Sequence, residues 1–189
     1  MGGVAWTTYS MDYRRYDAIL FNFLTLASRL TANVSAGPDE LEFPKYIGRP
    51  DFIRGYDREY YAGDCQTTST DPSACGASQL LGSRVAFANV ELRFPLVRRF
   101  DLGLLPVSLP PVDGLVFYDW GMAWSKDQTV YGSRPANYDL AVQRYPLRSY
   151  GFGIRLNLFN IALIRWDYAV PLDGSLKRGY WFWTLGQSF

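Results

Sequence analysis

The sequence predicts an all-β chain, an antiparallel transmembrane β-barrel, and three observations carry that prediction. Seven runs of the chain alternate apolar and polar residues with the period of two that marks a strand. The apolar faces of these runs gather Tyr and Trp near their ends, while the opposite faces mix isolated charges with glycines. Such faces suit a lipid-facing wall with aromatic girdles around a crowded, wet lumen. The runs also have the right length, about 9–12 residues for a tilted crossing of the hydrocarbon layer. Connections between them alternate short and long. A soluble, ligand-holding β-barrel is the alternative reading, with the large apolar faces packed inward.

The bulk numbers set limits. The 189 residues form one domain, with a net charge of +1 and 17% aromatic residues. Near-neutral charge gives no electrostatic footprint for nucleic acid. There is no histidine, which removes the usual general base, the Ser/His triad and most zinc sites. Neither a phosphate-cradling glycine loop nor a Gly-x-Ser-x-Gly elbow is present. No catalytic residue, cofactor or metal is therefore expected. No window approaches the ~18 consecutive apolar residues of a membrane helix, as alternating barrel strands require. Met1-Gly2-Gly3-Val4-Ala5-Trp6 has no basic region followed by an apolar one, so any export signal is expected upstream of Met1.

Taken in order, Trp6 to Arg15 puts Thr7, Tyr9, Met11 and Tyr13 on one side and Thr8, Ser10, Asp12 and Arg14 on the other. A short turn is expected over Tyr16 to Leu20. Asn22 to Val34 follows, with Leu24, Leu26, Leu30, Ala32 and Val34 opposite Thr25, Arg29, Thr31 and Asn33. Alternation then stops, and residues 35–82 are expected to form a long, ordered, functional loop rich in Pro and Gly. Within it Cys65 and Cys75 bracket a Thr/Ser/Asp tract, which reads as a local disulfide in an oxidising compartment, with two free thiols as the alternative.

Ser83 to Phe94 resumes the pattern, with Phe87, Asn89, Glu91 and Arg93 on its polar face. Pro95 to Asp113 reads as a proline-rich connector. Gly114 to Trp124 sets Val116, Tyr118, Trp120, Met122 and Trp124 against Phe117, Asp119, Gly121 and Ala123. After a second polar loop over Ser125 to Arg148, two strands are expected, Tyr150 to Leu158 and Ala162 to Val170. The last run is Tyr180 to Phe189, with Trp181, Trp183, Leu185 and Phe189 on one face.

The candidate site lies in the long loop, at Ile53-Arg54-Gly55-Tyr56. Glycine lets a backbone approach a wall closely, and arginine's planar fork of donors grips carboxylates. Glu91 and Asp119 each stand among apolar neighbours on faces that alternation points inward. The expectation is that Arg54 pairs with Asp119, with Glu91 as second acceptor. A solvated arginine on a surface turn is the other reading.

These same residues resemble a known family. Ile53-Arg54-Gly55-Tyr56 is similar to the Val-Arg-Gly-Phe/Tyr motif of the bacterial surface-antigen superfamily, the BamA/TamA-type assembly barrels. Asn89-Val90-Glu91-Leu92-Arg93-Phe94-Pro95 resembles that family's Glu-Leu-Arg-x-Pro strand, and Phe117-Tyr118-Asp119-Trp120-Gly121 its Phe-x-Asp-x-Gly strand. Gly151 to Arg155 and Arg165 to Pro171 resemble the next two, in order. Residues 180–189, with Tyr180, Phe182, Gly186 and Phe189, resemble the C-terminal β-signal of outer-membrane proteins.

The resemblance implies an outer-membrane barrel of about sixteen strands whose extracellular loop dips into the lumen. Residues 1–189 would be its C-terminal portion, about seven or eight strands. It implies members that insert or translocate other proteins at the bacterial outer membrane, without enzymatic chemistry. Their partners would be lipid, a client β-barrel or secreted protein, and periplasmic modules or N-terminal strands lying upstream. A passive pore or structural barrel shares the same fold.

Overall fold

The structure is a computed structural model that describes residues 3–20, 23–56, 76–97, 100–101, 108–109, 111–135, 139, 142–158, 162–173 and 178–186. In chain order the strands are β1 (Thr7–Ile19), β2 (Leu24–Ala36), β3 (Lys45–Tyr46), β4 (Leu81–Gly82), β5 (Arg84–Val97), β6 (Phe100–Asp101), β7 (Ser108–Leu109), β8 (Val112–Trp124), β9 (Thr129–Val130), β10 (Gln143–Arg144), β11 (Leu147–Leu158), β12 (Ala162–Pro171) and β13 (Tyr180–Leu185). The seven long ones form one sheet in the order β1-β2-β5-β8-β11-β12-β13. Every neighbouring pair in it is antiparallel. The short pairs β3–β4, β6–β7 and β9–β10 decorate its connections.

Several boundaries differ from the sequence reading. β1 continues through Tyr16 to Ile19, where a turn was expected, and pairs without a break to Ile19↔Leu24. Leu20 and Phe23 bracket the reversal instead, the Phe23 N–H bonding the Leu20 carbonyl at 3.0 Å with Leu20 at φ +48°. Arg15 and Asp17, ion-paired on what should be the apolar face, hide the alternation there.

Both ends of the proline-rich connector likewise belong to the ladder. β5 runs through Pro95 to Val97, and β8 begins at Val112. The register shifts between Pro95 and Val97, a bulge that accommodates a residue with no N–H to donate. The second long loop ends early, because β11 starts at Leu147, opposite Gly121. In the first loop, Ser35 and Ala36 still belong to β2.

Alternation sorts the side chains onto two unlike faces. One face buries Thr31, Phe87, Asn89, Glu91, Phe117, Asp119, Arg155, Arg165 and Asp167. The other exposes Tyr9, Met11, Tyr13, Leu30, Val90, Val116, Tyr118, Tyr150, Phe152, Trp166, Trp181 and Trp183. Apolar bulk outside and ion pairs inside reverse the order of a water-soluble domain, and the solvent such a wall meets is lipid. The soluble alternative has the faces inverted.

Between the polar face and the loop lies a cluster of Ile47, Ile53, Tyr56, Leu80, Val85, Phe87, Ala123, Tyr145 and Leu147. It seats the loop on the inner wall near the loop end of the strands. With seven alternating strands in the sheet, β1 and β13 run in the same direction. They cannot meet as antiparallel neighbours, so antiparallel closure requires an odd number of further strands.

Candidate functional site

The recess that takes the loop tip is made by cross-strand rows on the inner face. One row reads Arg29, Asn89, Asp119, Ser149, Pro171 across β2, β5, β8, β11 and β12. The next reads Ala27, Glu91, Phe117, Gly151, Ala169 across the same strands. Small residues (Ala27, Ser149, Gly151, Ala169) thus flank two acids and one aromatic ring, leaving room beside the carboxylates for a foreign segment.

The tip is shaped to enter it. A tight turn, with the Phe52 and Ile53 N–H groups on the Arg49 carbonyl at 2.9 and 3.0 Å, reverses the chain just before Arg54. Gly55 then adopts φ +88°. A Cβ there would stand 3.4 Å from the Ala169 Cβ and 3.5 Å from the Ser149 Cβ, so the backbone lies against the wall, in a conformation that favours glycine. Ile53 occupies the space that a side chain at Gly121 would take.

Arg54 is 1% exposed, and Glu91 and Asp119 are fully buried. Its Nε and Nη2 donate to the two oxygens of Asp119, each at 2.7 Å, and its backbone N–H adds a bond to Asp119 at 3.0 Å. Nη1 donates to Glu91 at 2.7 Å. The ring of Phe117 lies 3.5 Å below the guanidinium carbon, a stacking that suits arginine's weakly hydrated plane. Burial works against the charge, but the attraction of Asp119 and Glu91 outweighs it and raises the Arg54 pKa. A charge this far from water is tolerable only when every donor has an acceptor.

A wider network surrounds the pair. Glu91 also accepts from Arg93 Nε at 2.9 Å and from Arg155. Asn89 Nδ2 donates to Asp119 at 2.9 Å and to the Phe52 carbonyl at 2.6 Å, so it orients the acid and holds the loop together. Arg165 pairs with Asp167 at 2.9 Å and reaches the loop's Asp51 at 3.5 Å. From the other wall, Arg29 donates to the Asp51 carbonyl at 3.3 Å. Tyr56 donates its hydroxyl proton to the Arg148 carbonyl at 2.6 Å.

At the neck of the loop, Glu40 is buried and accepts from Ser83 Oγ at 3.0 Å, Arg84 at 3.3 Å and the Lys126 N–H at 3.3 Å. Burial pushes the Glu40 carboxyl up, but these bonds prevail and hold it below its ordinary range.

The structure therefore brings Ile53, Arg54, Gly55, Tyr56, Glu91 and Asp119 together. Of the terminal run, Tyr180 and Phe182 face inward, and Phe182 packs on the cluster of Leu115, Phe117 and Ala169. Gly186 ends the strand at φ +145°, its N–H on the Leu163 carbonyl at 3.0 Å. Phe189, Cys65 and Cys75 lie outside the described residues.

Sequence reasoning did not single out Asn89 or Phe117 as loop-binding residues. Each stands two places from an acid that it did single out, on the same face, and that spacing is the signal that finds them.

An inside-out antiparallel sheet, with a loop ion-paired to its inner wall, defines a β-barrel membrane protein carrying a lumenal plug segment. The family model for the Omp85 superfamily domain matches residues 2–189, and the chain belongs to that superfamily. No curated protein matches the sequence. The superfamily consists of outer-membrane β-barrels that insert or translocate proteins.

Proposed function

We propose that this chain forms part of a bacterial outer-membrane barrel that inserts or exports other proteins, in the manner of the BamA/TamA-type assembly barrels and without covalent chemistry. The observation that carries the reading is the buried, bidentate Arg54–Asp119 pair, which docks the Ile53–Tyr56 tip on β5 and β8. Such a pin holds the tip of the long loop in one place on the inner wall. Among the described residues β1 and β13 are the outermost strands of the sheet, and a strand edge that opens at a barrel seam templates an incoming strand by augmentation.

Outer-membrane lipid is then the solvent of the Tyr/Trp face. A client β-barrel or secreted protein is the partner at the edge, with periplasmic modules or further strands completing the assembly. The test reconstitutes the protein in liposomes and measures two rates: folding of a second, unrelated outer-membrane barrel, and ion conductance. Faster client folding, diminished by Arg54→Ala, is the expected result. Conductance with no acceleration of folding would make the protein a passive pore and overturn the reading.

A further inference from the structure

The last residue of the loop motif makes a contact that the arginine pair does not explain. Beyond β12 the chain turns at Leu172 and Asp173, toward the terminal strand β13. Polar groups of four residues meet there. The Arg148 carbonyl accepts from the Leu172 N–H at 2.8 Å and from the Tyr56 hydroxyl at 2.6 Å. The Asp173 N–H donates to the Tyr56 oxygen at 3.2 Å. The Asp173 carboxylate accepts from the Arg148 N–H and Nε, each at 2.9 Å, and from Nη2 at 2.8 Å.

The Tyr56 oxygen is thus both donor and acceptor in one closed knot, and its ring is fully buried in the loop's apolar cluster. A phenylalanine would fill the same volume and make neither bond.

From this geometry we infer that Tyr56 is a positioning residue that couples docking of the loop tip to the turn leading into the terminal strand. Arg54 fastens the tip to β5 and β8. Tyr56, two residues on, fastens it to the end of β11 and to the chain leaving β12. The backbone between them is held against Ala169 and Pro171 of β12 by Gly55. Release of the tip from the acids therefore also withdraws the Tyr56 bonds from the Leu172–Asp173 turn and loosens it. The β12–β13 ladder, six pairs long from Ile164↔Leu185 to Ala169↔Tyr180, is the next element along the chain. The coupling concerns this chain's own segments and does not depend on what the barrel transports.

The experiment is amide hydrogen exchange on the full-length protein in lipid nanodiscs, comparing wild type, Tyr56→Phe and Arg54→Ala. Heat-modifiable electrophoretic mobility verifies that each variant has folded. Tyr56→Phe is expected to speed exchange about five- to tenfold at Leu172, Asp173 and the Ala169/Tyr180 end of the ladder, the scale of one lost hydrogen bond. Ile53 and Arg54 should keep their protection in that variant. Arg54→Ala should speed exchange at both sets of amides. Acceleration confined to Asp173 in Tyr56→Phe, or a protected Leu172–Asp173 turn in Arg54→Ala, would overturn the coupling.

Discussion

An arginine buried as completely as Arg54 has few ways to exist. It needs a planar acceptor for its fork, a second acceptor for the remaining Nη, and a surface on which to lay its plane. Asp119, Glu91 and Phe117 supply these three. The acids were legible in the sequence because each stands alone among apolar neighbours on an inward face. Phe117 and Asn89 share the inward faces of those acids, two places away, but which of the inward residues touch the loop is settled by cross-strand register. Gly151 shows the same limit. A Cβ there would collide with the Tyr168 carbonyl and stand 2.6 Å from the Phe117 ring, the ring that supports Arg54. Gly151→Ala should therefore destabilise the folded protein by about 1–3 kcal/mol through overpacking. Denaturant titration in lipid checks this, and an unchanged midpoint would mean that Phe117 has room to move.

At the scale of elements, the alternation placed all seven long strands, and two of the misreadings fell where charges or a proline mask the period. Arg15 and Asp17 masked the end of β1, and Pro95 masked the end of β5. Proline reads as a breaker in sequence, yet a bulge admits it to the ladder. The outer face of β8 supports a graded prediction. Trp120 pairs with Arg148, whose side chain is bonded to Asp173 at the loop end, so it marks the membrane boundary. Val116 lies deeper, opposite Phe152 and Leu92, which stand on apolar outer faces. Val116→Arg should cost ~2–4 kcal/mol and Trp120→Arg ~0–1 kcal/mol. Unfolding free energies in bilayers test the order, and a larger cost at Trp120 would invert the assigned depth.

For the whole molecule, the loop is the element that ties separate strands into one body. Through Arg29, Glu91, Asn89, Asp119, Arg148 and Arg165 its tip bonds to β2, β5, β8, β11 and β12. The family could be recognised from the order of its motifs, but the reach of this tie could not, because it depends on how five strands come into register. The central claim is that the Arg54–Asp119 pair acts as a unit that docks the loop. A double-mutant cycle tests it most directly, with Arg54→Ala, Asp119→Ala and the double variant compared by equilibrium unfolding in lipid. Each single change should cost ~3–5 kcal/mol, because it strands a buried charge. The double variant should cost well below the sum of the two. Strictly additive losses would contradict the account, since two independent residues, and not a pair, would then be holding the loop.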